Sequence, residues 1–474
     1  MNERCLMTAP RRPSGLMHPT SFMPLLLAFI AAQALNVPAA QIGRRFPSEV
    51  RVVPDPVTGV PLTFLTSSQA GDSKIYPTHP QWTADGKWVI FRSDRVPGQA
   101  MAVNEQTGDI VQVTETGYQG ALCVGQKSMR LFFTRHENGD RPDRTRSPLQ
   151  VVAIDLARVF TDSAADRMQP AVSYEQVFGT IPLEIGGGGE LAIDATEQVA
   201  YFRMQGVVAA KLLSASTRIE GNFGPRNMGA GPSGIALMNL ETGAVSPVVA
   251  VPFQVGHIQS NPWRPGELVF CWETGGKAPQ RTWTVMADGT GLRPLFPEAP
   301  FDWVTHEAVI GRDEVALAIM GNRPPGVDDE WGPSGTRVHP TGLGIVSLRT
   351  REMIIAGQTR SGSGFWHVHG SPDGRWAVGD DFARNLWLID RRTSEMMLLT
   401  TGHKTTAADH PHPSFHPDGT RIQVQSAMLA ADNRSMNICI VPVPKAWLRR
   451  TYDNNTAPPP PTVPTDVKPR APPE

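Results

Sequence analysis

The apolar residues of this chain fall in short alternating runs, and the runs repeat as a unit. The clearest unit opens with Gln81-Trp82-Thr83-Ala84-Asp85-Gly86-Lys87-Trp88-Val89-Ile90-Phe91-Arg92-Ser93-Asp94, which reads as loop, strand, tight turn and second strand. It closes with Val103 to Thr114, an apolar strand, a Thr107-Gly108 turn and a final strand. Short runs of period two bounded by Gly, Pro, Asn and Asp are strand signals. First halves recur at Ala121 to Arg135, Gly188 to Met204, Gln259 to Glu273, Thr305 to Met320, His367 to Asp381 and His410 to Met428. Second halves recur at Leu149 to Ala157, Ile235 to Val249, Thr282 to Phe296, Leu343 to Gly357, Leu386 to Thr400 and Asn437 to Pro444.

With the first copy, that makes seven units. Four-stranded repeats of about 40 to 45 residues predict propeller blades, so the expected fold is all-β, a seven-bladed β-propeller. Val60 to Thr66 is strand-like but has no first half. It is predicted to add as the outer strand of the last blade, closing the ring and removing an exposed sheet edge. Three stretches interrupt the rhythm, His136 to Ser147, Gly206 to Gly234 and Gly321 to Gly342. They are rich in Gly, Pro and polar residues, and are predicted to sit on one face and shape a site.

Composition supports many turns, with 44 glycines and 44 prolines. The net charge of -1 gives no global field for nucleic acid or an anionic membrane, so an acidic ligand would need a local cationic cluster or a metal. The first 40 residues read as an export signal: Arg11 and Arg12, the apolar run Met23 to Leu35, then Val37-Pro38-Ala39-Ala40. The apolar run is too short for a stable membrane span. The reading is therefore a periplasmic or secreted protein, with the propeller over 41–450. A tail over 451–474, proline-dense from Ala457, is expected to be disordered. Cys5 falls in the leader, and Cys123, Cys271 and Cys439 form no CxxC, so buried free thiols are expected.

The start of each first half faces a propeller's central channel. Those starts carry His79, His257, His306, His367 with His369, and His410 with His412. One such histidine reads as a hydrogen-bonded structural residue. The set points to a metal or catalytic cluster. On an extended strand, His410 and His412 would share a face, roughly 6.5 Å apart. Competing signals are weak. There is no GxSxG elbow, and Gly275-Gly276-Lys277 lacks the P-loop spacing. Trp272, Trp303, Trp331 and Trp366 read as core or as sugar platforms.

Several short pieces, in order, resemble the oligogalacturonate lyase family. They are Asp55-Pro56-Val57-Thr58-Gly59 with Leu65-Thr66, Asp85-Gly86, Gly256-His257, Phe270-Cys271-Trp272-Glu273 and Thr305-His306-Glu307. His367 with Asp373-Gly374 and Val378-Gly379-Asp380 follow, then His410-Pro411-His412-Pro413-Ser414-Phe415. The resemblance runs from about Pro47 to Pro444. It implies a seven-bladed lyase that cleaves short galacturonate chains by β-elimination with Mn²⁺ or another divalent metal. It implies His306 as general base, His367, His410 and His412 as metal ligands, and Arg281 as a contact to an acidic sugar.

The chemistry suits those residue types. The proton at C5, alpha to the uronate carboxylate, becomes more acidic when a cation holds that carboxylate. A neutral imidazole is a suitable base near pH 7. Two positions depart from the family. Its fourth metal ligand, a glutamine, falls on Ala407, and its histidine after Phe-Cys falls on Trp272. Asp409, His369 or water is then left to complete a metal shell. Family enzymes act in the cytoplasm, whereas this chain reads as exported. Two other readings stay open. One is a non-catalytic TolB-like or WD40-like propeller that binds protein or carbohydrate at the cell envelope. The other is an unrelated metal-dependent activity on the same scaffold.

Overall fold

The computed structural model describes residues 41–137, 147–186, 188–224, 226–300, 302–321, 341–358 and 364–452. The expected export signal lies outside the described residues. So do the proline-dense tail, Trp331 and most of the loops predicted at His136 to Ser147 and Gly321 to Gly342.

Seven antiparallel sheets succeed one another as the blades of a β-propeller. Blade 1 runs outward through Asp72–Lys74, Trp88–Ser93, Gln99–Asn104 and Ile110–Gln112, with Arg45–Phe46 added outside. Blades 2 to 6 have four strands each, and their inner strands are Gln119–Val124, Ala192–Ile193, Val255–Ser260, Asp302–Gly311 and Phe365–Gly370. Blade 7 joins Ser414–Phe415, Arg421–Ser426 and Asn437–Pro442 from the C-terminal end to Pro61–Phe64 from the N-terminal end. The expected closure is thus present, with Thr63 opposite Ile440 and Phe64 opposite Cys439. One more strand, Arg51–Pro54, lies outside it, so the closing strand is not the outermost.

The alternation of each strand puts one apolar set against the next blade. Leu65, Trp82, Val89 and Phe91 pack with Ile438 and Ile440, sealing blade 7 to blade 1. Leu62, Phe64, Trp376, Val378, Leu386 and Val424 do the same between blades 6 and 7. Burying each large side chain contributes about 1.5–3 kcal/mol, so the seal between the chain's two ends is a strong one. Turns repeat one chemistry. Asp85 accepts from Thr83 Oγ1 at 2.6 Å and Asp373 accepts from Ser371 Oγ at 2.6 Å. The following Gly86 and Gly374 take φ of +67° and +72°, which a side chain resists. Cys123, Cys271 and Cys439 are buried and free, as expected.

Three further expectations change. Blade 2 does not finish at Ala157. A helix, Leu156–Ala164, follows its third strand, and the fourth strand is Glu175–Ile181. Asp155 caps that helix, and Leu156, Val159, Phe160 and Ser163 form its buried face at helical spacing. The inner strand of blade 1 is not at Gln81-Trp82 but at Asp72–Lys74, and Trp82 makes only an isolated bridge to Val89. The stretch Gly206 to Gly234 is not a plain loop. It begins with the helix Gly206–Leu212 and ends inside the strand Ala230–Asn239.

Candidate active site and metal centre

The inner strands are not regular where the histidines stand. Register shifts fall between Gly256 and Gln259, between Thr305 and Ala308, and between Phe365 and Val368. A bulge breaks the alternation of side chains and re-aims them. His257 and His306 take left-handed φ of +48° and +53° at these bulges. Non-glycine residues seldom hold that conformation without surrounding constraint. In blade 7 the prolines of His410-Pro411-His412-Pro413 supply no backbone N–H, and only Ser414–Phe415 pairs as inner strand. His412 has φ +53°, so His410 and His412 do not share a strand face as expected. They reach one cluster through an open loop instead.

Five of the histidines named from blade starts meet in that cluster. The His367 ring lies 3.8 Å from that of His412, 4.1 Å from His306 and 5.5 Å from His410, centroid to centroid. His257 stands 6.5 Å from His306. The two others stay out. His79 spends both ring nitrogens on Thr78 Oγ1 and the Leu191 carbonyl, each at 2.7 Å. His369 places Nδ1 2.9 Å from the Gly370 carbonyl and 3.4 Å from the Phe415 amide, and burial lowers its pKa to about 4.

Tyr76 occupies the middle. It follows the broken inner strand of blade 1, and its ring lies 5.0 Å from His257, 5.3 Å from His412 and 6.1 Å from His367. Its hydroxyl is 2.6 Å from His306 Nδ1. Burial, reinforced by Glu307, raises the phenol's pKa well above its usual value and keeps it protonated. Burial first, then neighbouring His367 and Arg281, pushes His306 well below the ordinary histidine value, so it is neutral at pH 7. Burial and the adjacent His412 and His410 act on His367 in the same direction.

On one side of Tyr76 lies Asp380, fully buried in blade 6. It accepts the His367 backbone N–H at 2.7 Å, and its other oxygen is 2.8 Å from His410 Nδ1. His367, Asp380 and His410 bring ligand atoms within 4.8 Å of one another. His367 Nδ1 and His412 Nε2 are buried and find no aligned hydrogen bond among the described residues, although each lies 3.3 Å from a carboxylate, Asp380 and Asp409 respectively. Buried polar nitrogens without partners are costly, and a cation on this wall would satisfy them. The residues therefore fit a divalent metal. Lys74, buried against Asp380, is shifted down by desolvation and donates to Ser414 Oγ at 2.8 Å.

On the other side the polar groups satisfy one another. Glu307 is 3.0 Å from both His257 Nδ1 and Arg281 Nε. Glu273 is 3.4 Å from His257 Nε2 and 3.5 Å from Arg281 Nη2. Burial opposes ionisation of Glu307, but Arg281 and His257 outweigh it and hold the carboxyl well below its usual range. For His257 burial disfavours the charge, yet Glu307 outweighs it and the pKa rises. His257, Cys271 and Glu307 have the spacing of a second metal group. Its chemistry argues otherwise. Its carboxylates are already paired, Glu307 and Glu273 each with both His257 and Arg281, and the buried Arg281 supplies the positive charge there.

Both departures from the lyase pattern have a structural account. Ala407 is buried against Ala427, Ala430 and Met436. Trp272 is core, stacked on Phe253 at 4.9 Å and edge-on to Phe223, and its Nε1 donates to the Gly229 carbonyl at 2.9 Å. It thereby pins the end of the long stretch before Gly234. Asp409, a suggested replacement ligand, is half exposed beside His412, and the residue that does stand among the histidines is Asp380. Trp366 leans over His306 at 4.7 Å and His410 at 5.9 Å, with Phe382 beside it at 5.1 Å. The site is reachable, since the His257 and His410 side chains keep 20% and 19% of their surface.

Fold and site together define a seven-bladed propeller with a histidine-rich centre built from four successive blades and completed by Tyr76 of blade 1. Among solved structures, an oligogalacturonate lyase in complex with manganese superposes with TM-score 0.65 at 17% identity, over 86% of this chain and 100% of that one. An oligogalacturonate lyase from Vibrio parahaemolyticus gives 0.63 at 18% identity, over 86% and 100%. Likeness at this level establishes the shared fold. No protein-family model matches the sequence, and no curated protein matches it.

Proposed function

We propose that the protein is a metal-assisted lyase of short uronate oligomers, with oligogalacturonides as the leading substrate class. The observation that carries this reading is the neutral His306 held 4.1 Å from His367, beside buried histidine nitrogens that no aligned hydrogen bond satisfies. The shared fold with two oligogalacturonate lyases supports it.

His367, His410 and His412 hold the metal, Mn²⁺ or another divalent ion, and Asp380 orients His410 through Nδ1. Bound there, the ion supplies Lewis acidity toward the substrate carboxylate. His306 is the general base. In the tautomer whose Nδ1–H donates to Tyr76 Oη, 2.6 Å away, its Nε2 carries the lone pair that takes the C5 proton. Arg281, whose Nε and Nη2 face two carboxylates, offsets their charge so that an acidic sugar meets a wall that is not net negative. Its part in acidic-sugar recognition is through this balance. The leader-like first 40 residues support a periplasmic or secreted location.

The test is direct. The mature protein is incubated with di- and trigalacturonate in Mn²⁺ buffer, and the unsaturated uronate is followed by its ultraviolet absorbance. Product is expected. Failure of every uronate oligomer to react in metal-replete buffer would remove the lyase reading, and tight binding without turnover would support the non-catalytic propeller.

A further inference from the structure

An elimination needs two proton transfers, and the base accounts for one. As the C4–O bond breaks, the glycosidic oxygen gains negative charge and must be protonated. We propose that His257 is the general acid that supplies this proton. The inference rests on the reading of His306 as the base.

Geometry is the first argument. His257 and His306 occupy equivalent bulges of adjacent blades, both with left-handed φ. Their rings flank Tyr76 and stand 6.5 Å apart. Hydrogen-bond reaches of about 3 Å at each end, joined by the C5–C4–O span, bridge a gap of that order. The chain also couples the two residues. His306 is followed directly by Glu307, which turns the other way and holds His257 Nδ1 at 3.0 Å. Base and acid are thus fixed by one dipeptide. His257 keeps 20% of its side-chain surface, so a substrate oxygen can meet it.

Electrostatics is the second argument. The charged and titratable groups around His257 bear on its proton, and His306 faces it from the next blade at 6.5 Å. Glu307 faces Nδ1 and Glu273 faces Nε2 at 3.4 Å, and both favour the imidazolium. Glu190, which accepts from the Ile258 amide at 3.3 Å, adds a third carboxylate nearby. Arg281 Nη2, 3.4 Å from Nδ1, opposes it. Cys271 is held as a neutral thiol by burial, and the Tyr76 hydroxyl stays protonated. Burial disfavours the charge, but the carboxylates prevail and His257 titrates above an ordinary histidine.

The step balances. The C5–H bond breaks and its proton goes to His306 Nε2. The C5 electron pair forms the C4–C5 double bond, and the C4–O pair leaves with oxygen. His257 gives its proton to that oxygen, which departs as the new hydroxyl of the released sugar. Afterwards His306 loses its proton to solvent, and His257 regains one beside the partly exposed Glu273.

The test compares two leaving groups. One substrate is digalacturonate, whose leaving sugar needs a proton. The other is a galacturonate carrying 2,4-dinitrophenoxide at C4, which leaves without one. His257→Gln is expected to lose about 10²–10⁴-fold in kcat/KM on digalacturonate, yet stay within about tenfold of wild type on the dinitrophenyl ether. His306→Ala should lose on both. Because each preparation is measured on both substrates, a partly folded variant cancels in the ratio, and His257→Ala provides a second ratio. Equal losses on the two substrates, or no loss on digalacturonate, would overturn the acid role and leave the lyase reading intact. A wild-type protein inert on both would overturn the lyase reading, and this inference with it.

Discussion

The two walls beside Tyr76 are both built on histidines and buried carboxylates and are settled differently. On the blade 4 and 5 wall, His257, Glu307, Glu273 and Arg281 close a ring of charge in which each partner answers another. On the blade 6 and 7 wall, Asp380 reaches His367 and His410, but His367 Nδ1 and His412 Nε2 are left without an aligned bond. A closed network holds a proton in place and asks for no ligand. An open one carries a desolvation cost that an added cation would remove. On the function proposed above, proton handling belongs to one wall and metal binding to the other, with His306 between them.

The largest effect is expected at the shared centre. His306→Ala should cut kcat/KM on digalacturonate by about 10²–10⁴-fold or more, with an unchanged circular-dichroism spectrum. Activity surviving in that variant would remove the assigned base.

Next comes the closed wall. Glu307→Gln leaves the buried Arg281 under-compensated, and breaking such a pair costs about 3–5 kcal/mol, to be read by urea denaturation. The pH dependence has a definite sign. The folded-state pKa of Glu307 lies below its unfolded value, so its contribution is present above the ordinary glutamate range and is lost as pH falls through and below it. The variant should lack that part of the acid-side slope. It should also move the alkaline limb of the rate profile to lower pH, because Glu307 is the main group raising the His257 pKa. An unmoved limb would separate His257 from the observed titration.

The open wall should respond through metal instead. Asp380→Asn is expected to weaken Mn²⁺ binding by about 10–100-fold, measured by calorimetry, while His257→Gln leaves that affinity nearly unchanged. The smallest effect belongs to Ala407→Gln. Ala407 packs against Ala427, Ala430 and Met436, so the larger side chain should cost about 1–3 kcal/mol by overpacking. It should lower the melting temperature without tightening Mn²⁺ binding. A gain in affinity would show that position 407 faces the metal after all.

Blade count, ring closure and the meeting of His257, His306, His367, His410 and His412 were legible in the sequence, because strand alternation and turn residues are local signals. What failed was non-local. Asp380 falls in the Val378-Gly379-Asp380 piece of the lyase resemblance but carries no site role there, and only the fold brings it to His410 of the next blade. Tyr76 precedes the apparent start of its unit at Gln81, because the true inner strand is the short Asp72–Lys74. Glu307 follows His306, and no pattern of period two says that a bulge turns one toward the cluster and the other toward His257. The helix Leu156–Ala164 carried a readable stripe at Leu156, Val159, Phe160 and Ser163, hidden by the strand rhythm on either side. His79 shows the opposite failure: it reads as a blade start but lies past the inner strand Asp72–Lys74, and both its nitrogens are spent on the scaffold.

The central claim is that a metal goes to the open wall and not to the closed one. Anomalous diffraction from crystals soaked in Mn²⁺ tests it most directly. A single strong peak within coordination distance of His367, His410 and His412 is the expected result. A peak at His257, Cys271 and Glu307, or none at either wall, would contradict it.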